Sequence, residues 1–158
     1  MVAEAFFLHF FTNVQLTSLA MEELGASGFS MIKNRILSFA TLTPGLTVGE
    51  LVRRLRVTPQ NLNEPLRSLI EGGYVVARIG QEDRRHKQLF ATPKGARQYH
   101  RVLKAQLAHI EQAFDAAGPD AVKGFLEVHR QLVDPFDREW IEQAHPLVEG
   151  SEAARKSK

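Results

Sequence analysis

The sequence predicts a mainly α-helical chain with one small β-hairpin, an α+β arrangement in which helices supply most of the core. Apolar residues recur every three or four positions along six stretches of the 158 residues, which is the spacing of one face of a helix. Only 74–79 and 87–91 have strand composition, and the polar segment between them is short enough to close a hairpin. Glycine, proline and small polar residues separate the stretches and set their ends.

The first helix is predicted over about 3–24. Phe6, Phe10 and Val14 begin its apolar stripe, and Gly25 supplies a stop signal. So rich an aromatic stripe on a terminal helix either packs within one subunit or forms an interface with a second copy of the chain. Both alternatives stay open at this point.

The next three helices each follow a capping residue. The second begins after Ser27 or Ser30 and ends before residue 43. Thr47 and Glu50 have the spacing of a capping box, which predicts a short third helix to about residue 55. Thr58, followed by a proline at the first helical position, begins a fourth helix that ends at Gly72-Gly73. We expect this fourth helix to bury one apolar stripe, Leu62, Leu66, Leu69 and Ile70. Two short helices joined by a tight turn make a helix-turn-helix.

Two helices are predicted after the hairpin. Thr92 and Pro93 open a long amphipathic helix that ends before Gly118. A final helix extends to about residue 141, with a kink or a restart at Asp134-Pro135.

Charge and composition narrow the classes of function. Residues 51–104 carry twelve lysines and arginines against four carboxylates, a net charge of +8, whereas the segments before and after have net charges of −2 and −4. Such a basic block is the footprint of a phosphate-binding surface, although a solvated face is by itself the commoner explanation of a run of charge. The chain has no cysteine, which excludes disulfides, zinc fingers, iron–sulfur clusters and thiol switches. Its N-terminus lacks the basic region of a signal peptide, so we expect a cytoplasmic protein.

The fourth helix carries hydrogen-bonding side chains opposite its leucines. Amides match adenine, arginine matches guanine or phosphate, and glutamate accepts from cytosine. Because this face lies on the second helix of a helix-turn-helix, we favour DNA recognition over a merely solvated surface. The candidate residues are Thr58, Gln60, Asn61, Asn63, Glu64 and Arg67.

The tip of the hairpin is rich in cations. Asp83 lies two residues before Arg85 and could hold its guanidinium in one geometry for insertion into a minor groove. The alternative is a local surface salt bridge of about 0 to 1 kcal/mol. The remaining cations are expected to contact phosphates, and they are Arg78, Arg84, His86 and Lys87.

From Leu69 through Asp83-Arg84-Arg85 to Thr92-Pro-Lys-Gly95, the chain resembles the MarR (multiple antibiotic resistance regulator) family of bacterial transcription factors. The resemblance covers roughly residues 5–133. It implies a winged helix-turn-helix homodimer in which Arg85 enters the minor groove, with Asp83 as its support, while Gln60, Asn61, Asn63 and Glu64 occupy major-groove positions. Two departures from the family pattern are Glu64, where a cation is frequent, and Pro65 inside the helix.

The resemblance also implies a division of the chain. Residues 28–92 would form the DNA-binding lobe, 1–27 with 93–146 a helical dimerisation lobe, and 147–158 a polar tail. The terminal helices would form the dimer interface, with candidate residues Phe6, Phe7, Phe10, Phe11, Phe125, Val128, Leu132, Phe136 and Trp140.

The sequence therefore predicts a homodimeric, ligand-responsive transcriptional regulator, a repressor in the usual case. Recognition helix 58–72 would lie in the major groove and wing 74–91 in the minor groove, with half-sites about one helical turn apart. The resemblance implies a small, often aromatic or phenolic, effector and no other cofactor. The alternative is a winged-helix module that binds proteins or binds DNA without sequence preference.

An enzyme is not expected. We find no catalytic pair of nucleophile and base, no glycine-rich phosphate loop and no metal-ligand spacing among the six histidines. The catalytic and metal-binding classes are therefore left without candidate residues.

Overall fold

A computed structural model of the chain describes residues 1–25, 29–80 and 87–142. It divides into two compact units, 1–110 and 111–158. The first unit holds the helix-turn-helix and the hairpin, and the second begins within the long helix. The division into DNA-binding and dimerisation lobes is a functional one and stays a prediction.

The observed elements follow the predicted order. The helices are α1 (Val2–Leu24), α2 (Met31–Leu42), α3 (Val48–Leu55), α4 (Pro59–Glu71), α5 (Pro93–Ala117) and α6 (Pro119–Leu132). The strands are β1 (Leu46–Thr47), β2 (Val75–Ile79) and β3 (Lys87–Ala91). Residues 135–142 are again helical, which confirms the predicted restart at Asp134-Pro135.

Side-chain caps begin four of the helices, α2 to α5, as predicted. Ser30 accepts from the amide of Lys33 at the start of α2, while Ser27 lies outside the described residues. The Thr47 hydroxyl accepts from the Glu50 amide at 3.2 Å, and the Glu50 carboxylate accepts from the Thr47 amide at 2.7 Å. This capping box satisfies two amides that α3 would otherwise leave without acceptors. The hydrogen bond from the Thr47 amide also lowers the pKa of Glu50.

The three strands form one antiparallel sheet in the order β1-β3-β2. Val75 lies opposite Ala91 and Ile79 opposite Lys87, which confirms the predicted hairpin. The sequence analysis did not predict β1, where Leu46 pairs with Leu89. A strand of two residues is too short to show an alternating pattern.

The core lies between α2, α3, α4, α5 and the sheet. It is built mainly from buried aliphatic side chains, including Ile36, Leu37, Leu51, Leu62, Leu69, Val75, Leu89 and Val102. The prediction of a buried stripe on α4 is wrong for one residue, Ile70, whose side chain is 39% exposed. Only Ala20 and Leu24 of α1 are buried. No helix among the described residues is long and apolar enough to cross a bilayer.

Candidate nucleic-acid interface

Helix α4 presents two chemically different faces. Leu62, Pro65, Leu66 and Leu69 are buried against the core, which fixes the rotation of the helix. The opposite face is exposed and carries every residue predicted to read DNA on this helix, namely Thr58, Gln60, Asn61, Asn63, Glu64 and Arg67. The helix runs unbroken through Pro65, whose ring replaces one backbone donor.

The two ends of α4 are held by different interactions. At its start, the Thr58 hydroxyl accepts from the Asn61 amide at 3.3 Å, and Pro59 occupies the first turn. At its end, Gly73 has a φ of 70°, a conformation that glycine adopts without a Cβ clash. The Tyr74 amide then donates to the Leu69 carbonyl at 2.9 Å, which completes the turn into β2.

The start of α5 contacts this C-terminal end of α4. Lys94 Nζ donates to the Gly72 carbonyl at 2.9 Å and lies 4.2 Å from the centre of the Tyr74 ring. The Thr92 hydroxyl donates to the Gly73 carbonyl at 2.7 Å. A cation at a helix C-terminus offsets the negative end of the helix dipole. The sequence analysis assigned Thr92 only a capping role and gave Lys94 none, since these contacts span about twenty residues of chain.

The exposed face of α4 is not itself basic. Arg67 Nε lies 3.9 Å from a carboxylate oxygen of Glu71, and both side chains are 71% exposed, so the pair contributes little to stability. Glu64 adds a second carboxylate. The charged side chains of α4 therefore sum to −1, and any attraction to phosphate has to come from flanking elements.

The base of the hairpin supplies some of these cations. The Arg78 guanidinium carbon lies 5.0 Å from the centre of the Phe90 ring, so the side chain packs on the sheet and keeps its charge exposed. Lys87 is exposed at the first position of β3. The predicted tip residues Asp83, Arg84, Arg85 and His86 lie outside the described residues, and their roles stay predictions.

A cleft of about 390 Å³ separates α4 from the sheet. Buried apolar side chains, such as Leu66 and Leu89, line its interior, and exposed polar and charged side chains line its edge. The lining residues are Val48, Asn63, Leu66, Arg67, Ile70, Glu71, Ala77, Lys87 and Leu89.

The N-terminal half of α1 exposes a large apolar surface. Phe6, Phe7, Phe10 and Phe11 are 52 to 64% exposed, and they form two edge-to-face ring pairs with centres 5.5 and 5.2 Å apart. Packing within one subunit, the first of the two sequence alternatives, leaves this surface exposed among residues 1–25, 29–80 and 87–142. In α6, Phe125, Val128 and Leu132 are also exposed, whereas Phe136 and Trp140 beyond it are half-buried.

The described residues offer little for catalysis. No group of three histidines, acids or cysteines is placed to hold a metal ion within the described ranges. Tyr99 is buried in the core, and the loss of solvation raises its pKa to about 12. The Tyr99 phenol therefore stays protonated at neutral pH.

Comparison with known proteins identifies the helix-turn-helix segment. Residues 27–86 match the model of the MarR family. The chain is 42% identical over 105 residues to the HTH-type transcriptional regulator PetP of Rhodobacter capsulatus, an alignment that covers 66% of this chain and 63% of PetP. The matched part of the chain thus spans less than two thirds of that relative's length.

Solved structures share the fold. A MarR-family transcriptional regulator from Silicibacter pomeroyi is 23% identical, with a TM-score of 0.69 over 81% of this chain and 86% of that one. A point mutant of MepR from S. aureus, solved bound to an oligodeoxyribonucleotide, is 16% identical, with a TM-score of 0.56 over 78% of this chain and 90% of that one. The matched segment and PetP make the chain similar to MarR-family regulators, and the solved structures show that it has their winged helix-turn-helix fold.

Proposed function

We propose that this protein is a DNA-binding transcriptional regulator that binds a pseudo-palindromic operator as a homodimer. The observation that carries the proposal is the exposed polar face of α4. The opposite face of α4 is buried in the core, which fixes the orientation of the helix. The exposed amides can therefore hydrogen-bond to base edges without a rearrangement of the helix.

Two relatives support the choice of DNA as partner. PetP is described as an HTH-type transcriptional regulator, and MepR was solved with an oligodeoxyribonucleotide. A regulator of this kind that occupies a promoter blocks polymerase, so repression is the proposed outcome. A chromosomal target would also place the protein in the cytoplasm.

The exposed phenylalanines of α1 support the dimer. Four neighbouring rings at the surface form an apolar patch of the kind that marks an interface. A second copy would cover this patch with an equivalent surface, and a two-fold axis would place the two α4 helices on successive turns of the duplex.

The test is a binding titration against labelled duplexes from the DNA upstream of the gene, with a random duplex of equal length as competitor. We expect preference for one upstream duplex that carries an inverted repeat, and a steep fall of affinity with salt. Asn63→Ala should reduce the preference for that duplex, because it removes an amide from the proposed reading face. Gln112→Ala removes an exposed amide from the other compact unit and should leave the preference unchanged.

Arg85→Ala tests the wing separately. Loss of a minor-groove arginine should weaken binding to the preferred duplex while the dimer stays folded. Unchanged affinity would remove the wing from the mechanism. Equal affinity of the wild-type protein for upstream and random duplexes would contradict a sequence-specific regulator.

A second candidate function is a winged-helix module that binds a protein, or binds DNA without sequence preference. The net negative charge of α4 favours this candidate, because the carboxylates of Glu64 and Glu71 repel the phosphates of DNA. The same salt titration separates the alternatives: a protein-binding module shows no steep salt dependence, and an architectural DNA binder shows it without a preferred sequence.

The proposal includes a small aromatic acid as effector, bound in the cleft between α4 and the sheet. Leu66, Ile70 and Leu89 can pack on an aromatic ring. Arg67 and Lys87 outnumber the one carboxylate of the lining, Glu71, and can attract an acid. Because Asn63 and Arg67 also belong to the proposed reading face, an occupied cleft would compete with DNA. Salicylate should then release the duplex at concentrations where hexanoate, an aliphatic acid of equal charge, does not. Equal effects of both acids would contradict a specific site.

A further inference from the structure

The C-terminal end of α4 receives its cation from another helix. Within Pro59–Glu71 the last turn carries no basic residue, and it ends on an acidic one, at the negative end of the helix dipole. Lys94 Nζ, from the start of α5, donates to the Gly72 carbonyl at 2.9 Å. A side chain 22 residues along the chain therefore completes the end of this helix.

Tyr74 gives the same ammonium group a fixed aromatic surface. Lys94 Nζ lies 4.2 Å from the centre of the Tyr74 ring, within the range of a cation–π interaction. The ring packs edge-to-face on Phe29, with centres 4.8 Å apart, and a Cβ on Gly72 would lie 3.0 Å from two of the ring carbons. The ring therefore has little room to move, and the ammonium group that contacts both the ring and the carbonyl is held with it.

The Lys94 contact adds a direction that the apolar core lacks. Burial of the leucines determines which face of α4 points outward, but hydrophobic burial is non-directional, and packed helices can slide by small amounts. A hydrogen bond weakens steeply with distance and angle, so this contact fixes where the helix ends. Farther along, α5 is hydrogen-bonded to α1, the helix that carries the exposed phenylalanines of the proposed dimer surface.

We propose that Lys94 is a positioning residue for DNA recognition, which fixes the C-terminal end of α4 on α5 and thereby the separation of the two α4 helices in the proposed dimer. The inference rests on the proposed DNA-binding function and deepens it, because Lys94 would determine the half-site spacing that the protein accepts without reading a base itself. The Lys94 side chain is exposed, so the alternative is a direct contact between its charge and a phosphate.

The first test measures affinity for three duplexes that carry the inverted repeat with its natural half-site spacing, with one base pair more and with one base pair less. Lys94→Met keeps the stem of the side chain and loses the ammonium group. We expect its preference for the natural spacing to fall by about three- to tenfold, the equilibrium equivalent of about one hydrogen bond, with an unchanged slope of log affinity against log salt. Lys94→Arg, which keeps a donor and a cation, should keep the wild-type preference. Lys104→Met makes the same change at an exposed position farther along α5 and should also keep it.

The second test needs no DNA. Because the chain has no cysteine, Gln60→Cys introduces a single attachment site for a spin label at an exposed position in the first turn of α4. Pulsed electron paramagnetic resonance then measures the distance between the two labels of a dimer. We expect one narrow distribution of distances in Gln60→Cys alone, and a shifted or broader one when Lys94→Met is added.

The outcomes are separable. An unchanged spacing preference or an unchanged label distance in Lys94→Met, while the wild type binds its duplex, would overturn the inference alone. An equal loss of affinity for all three duplexes would also overturn it, because Lys94 would then contact a phosphate or only stabilise the fold. Failure of the wild-type protein to bind any duplex at low salt would overturn the proposed function and this inference with it.

Discussion

Gly95 lies against the backbone of a neighbouring segment, and replacing it with alanine is the sharpest test of the described packing. A Cβ at this position would lie 2.1 Å from the Tyr74 carbonyl oxygen and 2.9 Å from Cδ1 of Leu37. An acceptable carbon–oxygen contact is about 3.3 Å or more, so the first turn of α5 would have to move by about 1 Å. That oxygen also accepts from the Thr92 amide at 2.9 Å, so the movement strains a hydrogen bond as well.

The expected cost follows from these contacts. Overpacking costs about 1 to 3 kcal/mol, and a weakened hydrogen bond adds about 1 kcal/mol. The better helix propensity of alanine returns at most about 1 kcal/mol. We therefore expect Gly95→Ala to lower the free energy of unfolding by about 2 kcal/mol.

Urea unfolding followed by circular dichroism measures this change, at one protein concentration because the proposed dimer would contribute to apparent stability. Gly124→Ala is the matched control. Gly124 lies inside α6, and no described atom comes within 4 Å of its added Cβ, so alanine there should stabilise by up to about 1 kcal/mol. If Gly95→Ala were as stable as the wild type, α5 could not lie against the Tyr74 carbonyl as described.

Two further predictions concern the core and the dimer. Burial raises the pKa of Tyr99 from 10.0 to about 12, so stability that is complete below pH 10 should fall by roughly 2 to 3 kcal/mol as the pH rises to 12, since the unfolded chain releases this proton first. In the Tyr99→Phe variant, the free energy of unfolding measured with urea should decrease much less between about pH 9 and 12. An equal decrease in the variant would assign the effect to another group. Phe7→Glu with Phe11→Glu should weaken self-association more than about tenfold in sedimentation experiments while Ala20 and Leu24 keep α1 attached to the core. An undiminished dimer would place the interface elsewhere.

The helix positions were predictable because their signals are local. A cap and the amide it binds lie three residues apart, and a stripe shows within two turns of sequence. Thr47 with Glu50, Thr58 with Pro59, and Gly73 therefore marked the ends of α3 and α4 without knowledge of the fold. The polar face of α4 was predictable for the same reason, since it lies on the side of the helix opposite the leucine stripe.

The remaining features depend on tertiary structure. Ile70 has the spacing of a core residue, but it lies where the helix face turns toward the cleft, and only the position of the sheet decides its exposure. The role of Lys94 depends on a carbonyl 22 residues away. Arg56 ends α3 with a φ of 53°, although no glycine marks that position in the sequence.

The contacts of α5 explain why α1 and α4 are held in one arrangement within the first unit. Lys94 donates to the Gly72 carbonyl at the C-terminal end of α4. Seven residues later, the Arg101 guanidinium donates to the Glu23 carbonyl at the end of α1, at 2.8 Å. Gln106 then donates to the Leu16 carbonyl at 2.9 Å. Because two turns of one helix separate Lys94 from Arg101, the reading helix and the exposed phenylalanine surface are tied to the same rigid element. In the proposed dimer, the spacing of the two α4 helices would therefore depend on the position of α5 in each subunit. The close contact between Gly95 and the Tyr74 carbonyl then matters for DNA binding as well as for stability.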